Sequence, residues 1–187
     1  MDTWVWILIA AAVVIAIVAI AAYVVAQRRR REELRQSFGP EYERAVARSG
    51  DVRRGESDLM ARRERREKLE IRPLSRTSRD NYARSWEQTQ ARFVDDPSGA
   101  LGQADALIVA VMTERGYPMD DFETRASDVS VDHPDVVEHY RSAHDVSSRL
   151  DRDEQVSTED MRQGFVHYRA LFEEILETDT DPERRAV

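Results

Sequence analysis

TWVWILIAAAVVIAIVAIAAYVVA, residues 3–26, is an apolar run without a single charge, closed by Arg28-Arg29-Arg30-Arg31. At about 1.5 Å rise per residue it can cross a hydrocarbon core of roughly 30 Å, and as a helix it satisfies its own backbone there. From Ile7 to Ala22 a helix would be apolar on every face, whereas the edge of a soluble core leaves a polar stripe. A cleaved signal peptide is the rival reading, because Val24 and Ala26 stand where a small-residue cleavage site belongs. Three features oppose it: the run exceeds the roughly 7–15 residues of a signal h-region, Met1-Asp2 carries no positive charge, and the arginines lie on the far side. The expectation is a retained transmembrane anchor over residues 1–27.

Working outward, arginine just after the run and an acidic residue before it favour a cytoplasmic C-terminal side, with the N-terminus outside. Trp4 and Trp6 at one end and Tyr23 at the other suit the aromatic belts of the two interfaces. Arg28, Arg29, Arg30 and Arg31 are then the candidate membrane-surface contacts, and lipid is one expected partner.

The net charge of −8 conceals a segregation. From Gln27 to Trp86 there are 18 basic and 11 acidic residues; from Glu87 to Val187 there are 10 basic and 24 acidic. A basic segment is drawn to an anionic leaflet and an acidic one held off, within a Debye length. Nucleic acid is not an expected partner, since aromatics for base stacking are sparse and Glu64, Glu67 and Glu70 alternate with arginine. The absence of cysteine excludes a disulfide framework, a thiolate nucleophile and a thiolate metal site.

Along the chain, Phe38-Gly39-Pro40 breaks the first helix, and Pro40 starts a second that ends at Ser49-Gly50. A polar helix over residues 51–70 follows. With only Val52, Leu59, Met60 and Leu69 as sizeable apolar residues, residues 28–74 are expected to form a cationic, solvated helical stalk. Core begins with Tyr82, Trp86 and Phe93 on a helix from 75 to 94. The segment 100–115, with Leu101, Ala104, Leu107, Ile108, Val111 and Met112, is expected at the centre of the domain. A short helix over 121–126 and longer ones over 134–150 and 158–177 complete it, the last opened by the capping-box spacing of Ser157 to Asp160. No segment alternates with period two. The soluble part therefore reads as an all-α bundle of four or five helices over residues 75–177, with 178–187 as a disordered tail.

Imidazole beside carboxylate is what a metal ion or a general base needs, and Asp132, His133, Asp135 and His139 supply both within eight residues. They are the candidate polar or metal site. The spacing is poor for it: His139 and His144 stand far apart around a helix, and His133 precedes a helix-starting Pro134. His144, between Tyr140 and Ser147, reads as a hydrogen-bonded core histidine. No Gly-rich phosphate loop and no nucleophile elbow occurs, so no catalytic residue, cofactor or small-molecule substrate is assigned.

Arg115-Gly116-Tyr117-Pro118, residues 128–134, Tyr140-Arg141-Ser142-Ala143-His144 and His167-Tyr168-Arg169-Ala170-Leu171-Phe172, with Phe38-Gly39-Pro40-Glu41-Tyr42, resemble a family of bacterial, largely actinobacterial, membrane-anchored proteins with a helical soluble part. The resemblance implies a bacterial plasma-membrane setting and carries no activity, cofactor or residue role. The functional expectation is a membrane-tethered cytoplasmic module that docks an unidentified protein partner. A tethered metal-binding or hydrolytic domain around His133 and His139 is the alternative.

Overall fold

The computed structural model describes residues 3–152 and 154–177; the expected tail at 178–187 lies outside them. Among the described residues there are eight helices and no strand, so the fold is all-α. In chain order they are α1 (Thr3–Phe38), α2 (Pro40–Ser49), α3 (Val52–Glu67), α4 (Arg76–Arg92), α5 (Pro97–Arg115), α6 (Phe122–Asp132), α7 (Val137–Asp151) and α8 (Thr158–Glu177). The chain divides into two compact units, Met1–Leu59 and Met60–Val187.

In the first unit α1 runs unbroken from the apolar stretch through the arginines. The side chains described between residues 12 and 26 are exposed, as are Trp4 and Trp6. One helix near the N-terminus is thus long and apolar enough to span a membrane. Beyond it, the polar segment is not solvated throughout: Leu34, Phe38, Tyr42, Ala45 and Leu59 are buried. Two features fold it. Glu56 Oε1 accepts from Arg31 Nε at 2.7 Å and from Tyr42 OH at 2.8 Å, joining α1, α2 and α3 through one carboxylate. Gly55 lies so close to α2 that a Cβ there would stand 2.8 Å from Val46 Cα. Composition concealed this small core because it is assembled from one or two apolar residues on each of three helices.

The second unit has the core expected of a bundle. α5 packs on α4 and α8, α7 packs on α8, and α6 packs on α7. Trp86 stacks on Phe172 at 4.5 Å between ring centroids and on Phe165 at 5.1 Å, joining α4 to α8. On α5 Ala100, Leu101, Ala104, Ile108, Val111, Met112 and Arg115 are buried, while Leu107 is only partly buried.

The helix ends follow from local chemistry. Asp121 caps α6 by accepting from Thr124 N at 3.1 Å. α6 then runs past the expected stop at 126, because Ala126 and Val129 bury on one face and no breaker intervenes before His133-Pro134. α7 accordingly starts three residues later than Pro134, with the His133 carbonyl accepting from Val136 N and Val137 N. Ser157 caps α8 reciprocally: its Oγ accepts from Asp160 N at 3.0 Å while Asp160 Oδ2 accepts from Ser157 N at 3.4 Å. Gly116 ends α5 at φ 96°, and a Cβ there would stand 2.7 Å from Glu70 O. That close approach lets Arg72 N donate to Arg115 O at 2.9 Å, satisfying a carbonyl at the end of the helix.

Two substitutions test this packing. Ile108→Ala should destabilise the second unit by about 2–5 kcal/mol, and Leu107→Ala by clearly less, since only the first leaves a closed cavity. Denaturant unfolding followed by near-UV circular dichroism measures both, and equal costs would contradict the register of α5. Gly55→Ala forces a methyl into the α2 backbone and should loosen the first unit, read as faster amide exchange over residues 42–59; unchanged exchange would show that α2 and α3 do not meet there.

Candidate functional site

The sequence brought forward Asp132, His133, Asp135 and His139, and each has different surroundings. Asp132 Oδ2 accepts from Tyr117 OH at 2.6 Å and pairs with Arg66 on α3. His133 is buried, with Nδ1 3.3 Å from Glu174 Oε1 on α8 and Nε2 without a hydrogen-bond partner among the described residues. Asp135 is exposed in the turn before α7. His139 meets His167 across the α7–α8 seam, Nδ1 to Nδ1, at 2.8 Å. Among the described residues, no three of His, Asp or Glu converge as metal ligands would.

The His139–His167 contact is the piece of chemistry that spacing along one helix could not show. The ring centroids are 5.0 Å apart and the planes 26° apart, while the facing nitrogens are 2.8 Å apart, so the two nitrogens lie close to the line between the rings. That is the geometry of one N–H donating to one bare nitrogen, which requires one proton between them. A signal for it exists in the sequence. His139-Tyr140-Arg141 and His167-Tyr168-Arg169 repeat one tripeptide, and in both the tyrosine is wholly buried. With Tyr140 and Tyr168 inward on two packed helices, their rings 6.5 Å apart, the preceding histidines fall at the same seam.

A second polar group runs through the core. Tyr168 OH donates to Asp105 Oδ1 at 2.8 Å and lies 3.1 Å from Ser147 Oγ, joining α8, α5 and α7. Burial, and then the Asp105 charge, push the Tyr168 phenol well above the usual tyrosine range, so it acts as a neutral donor. Among the described residues His144 is not the hydrogen-bonded histidine expected: it lies flat against Phe122 at 3.6 Å, and its buried Nδ1 finds no partner there. A third group anchors α6. Asp128, fully buried, accepts from Arg65 Nε at 2.7 Å, and Arg62, also buried, reaches Ser130 Oγ at 3.5 Å.

Of the four arginines after the apolar run, Arg28, Arg29 and Arg30 are exposed, whereas Arg31 is held by Glu56. No known protein family matches the chain, and no curated protein or solved structure is similar to it.

Burial, and secondarily the His139 charge, hold His167 below the usual histidine range; burial does the same to His144. Folding therefore disfavours protonation of both rings. The stability that follows is complete above the ordinary histidine pKa of about 6.5 and declines as pH falls through it, levelling once the folded rings protonate. The unfolding midpoint should drop between about pH 7.5 and 5, and His144→Phe should flatten that drop. In His139→Gln, NMR titration should find His167 shifted upward toward the ordinary value; an unmoved His167 would show that the two rings are not coupled.

Proposed function

We propose that the chain is a single-pass membrane protein that holds a helical interaction module on the cytoplasmic face. The observation that carries it is the uncharged first part of α1, whose described side chains up to Ala26 are exposed, continuing without a break into the arginine-rich remainder of the first unit. The excess of arginine after the span supports the inside orientation of the second unit. Support for a binding rather than a catalytic module comes from how the polar groups are used. Asp132 is taken up by Arg66 and Tyr117, His133 faces Glu174, and Tyr168 is held by Asp105, so they serve to fix one helix on another. The acidic excess after Glu87 suits a partner protein with a basic face.

The second reading is a bound divalent transition ion, favoured by the His139–His167 pair. Two imidazole nitrogens this close could share an ion if both rings turned to give up the proton between them. Protein purified without chelators should carry no stoichiometric zinc, nickel or copper; one ion per chain that is lost in His167→Gln would replace the first reading with the second. Topology is tested by fusion after Val187. A reporter active only in the cytoplasm should work there, and activity instead of a reporter restricted to the outside would reverse the orientation.

A further inference from the structure

The first unit does more than follow the span. Glu56 is tied to Arg31, which is five residues past Ala26, the last residue of the apolar run. Five residues of helix advance about 7 Å, which is within the polar layer of a bilayer, whose hydrocarbon is roughly 30 Å and whose total thickness is about 40–45 Å. Arg53 and Arg54 stand within one turn before Glu56 on α3, so they return to the level of Arg28, Arg29 and Arg30 although they lie more than twenty residues later. All five are exposed, and none has an ion-pair partner among the described residues. Glu32 and Glu33 stand exposed one turn further along α1, and the carboxylates of α3 and its cap are engaged with other groups. Glu56 holds Arg31 and Tyr42, Asp51 Oδ1 accepts from Arg54 N at 3.0 Å as the cap of α3, and Asp58 pairs with Arg48 at 3.6 Å. Beside the two later arginines is Val52, an apolar residue left exposed at the start of α3.

We infer that Arg28, Arg29, Arg30, Arg53 and Arg54 form a cationic collar around the cytoplasmic end of the span that binds the phosphate groups of anionic lipid headgroups. The inference rests on the anchor reading and adds to it a folded surface. Guanidinium matches phosphate oxygens with two parallel donors, and unpaired arginines at headgroup depth need no displacement of an internal partner to do so. The side chains of α1 lean toward its N-terminus, the bilayer side, which brings Arg28, Arg29 and Arg30 down onto the headgroups. Val52 is placed to enter the same layer. Glu56 is the positioning residue, since its carboxylate ties α3 to Arg31 on α1 and to Tyr42 on α2.

The chain has no cysteine, so single-cysteine variants of the full-length protein can be labelled uniquely. In nanodiscs containing phosphatidylglycerol, a fluorophore on Val18→Cys should be quenched by lipid carrying a quencher on the acyl chain. A fluorophore on Val52→Cys should be quenched by lipid carrying it on the headgroup. Loss of both signals overturns the anchor; loss of the second alone overturns the collar and leaves the anchor standing. Glu56→Gln should weaken the Val52→Cys signal by releasing α3. Arg53→Gln with Arg54→Gln should lower the ratio of phosphatidylglycerol to phosphatidylcholine that copurifies with the protein, by about fivefold per arginine at low salt. An unchanged ratio in that variant means that the two arginines do not bind lipid, and it overturns the proposal.

Discussion

α8 is the element on which the second unit depends, because α4, α5 and α7 each pack an apolar face against it. Phe165, Tyr168, Leu171, Phe172 and Ile175 are all buried on this one helix, and burying side chains of that size contributes roughly 1.5–3 kcal/mol each. Those contacts join residues that are far apart in the chain, so the core closes only when the helix nearest the C-terminal end of the described residues has docked. The polar contacts across it follow the same logic. Tyr168 reaches Asp105, and Arg115 donates to the Ile175 carbonyl at 2.6 Å, each fixing the depth at which α8 lies on α5.

The interior is more polar than the composition of its helices suggests. Asp128, Arg62, His133, Arg115 and Arg141 are buried. Buried charge is weak as a source of stability, since desolvation offsets most of the attraction, but it penalises any arrangement that leaves one partner behind. Arg65 and Arg66 on α3 meeting Asp128 and Asp132 on α6 thus select one seating for the end of α3 within this unit. In the first unit Glu56 does the same for two reversals of the chain, with Arg31 and Tyr42 as its partners. In both places a segment that is too polar to bury much apolar surface is positioned by carboxylates.

The paired histidines belong to this pattern and also depart from it. His133 with Glu174 and His139 with His167 both cross from the α7 side to α8, yet among the described residues neither pair gathers the further ligands that a four-coordinate structural zinc site uses. A hydrogen bond between two neutral imidazoles brings no charge into the seam, whereas protonation of His167 meets first its burial and then the repulsion of a charged His139. The seam is therefore a place where acid, or a cation that replaces a proton, acts directly on the packing of α7 against α8.

The amino-acid sequence by itself determined the features that local chemistry controls. An uncharged run of that length has one economical conformation, and Gly39-Pro40, Gly50, Gly116 and the Ser157 cap set helix ends within a residue or two. The period of apolar residues in 75–177 was sufficient for an all-α bundle and for most of its core, including Trp86, Ile108, Tyr140 and Phe172. Only the tertiary structure decided what depends on two helices meeting. Leu107 and Ile108 satisfy the same broad stripe, and the packing of α4 and α8 on α5 buries the second fully and the first only in part. Glu56 resembles any glutamate of a solvated helix until two chain reversals bring it to Arg31. His139 and His167 lie 28 residues apart, and the seam that joins them exists because Tyr140 and Tyr168 turn inward on neighbouring helices. Side-chain period gives the face of a helix, but the partner on that face is set by packing between elements distant in the chain.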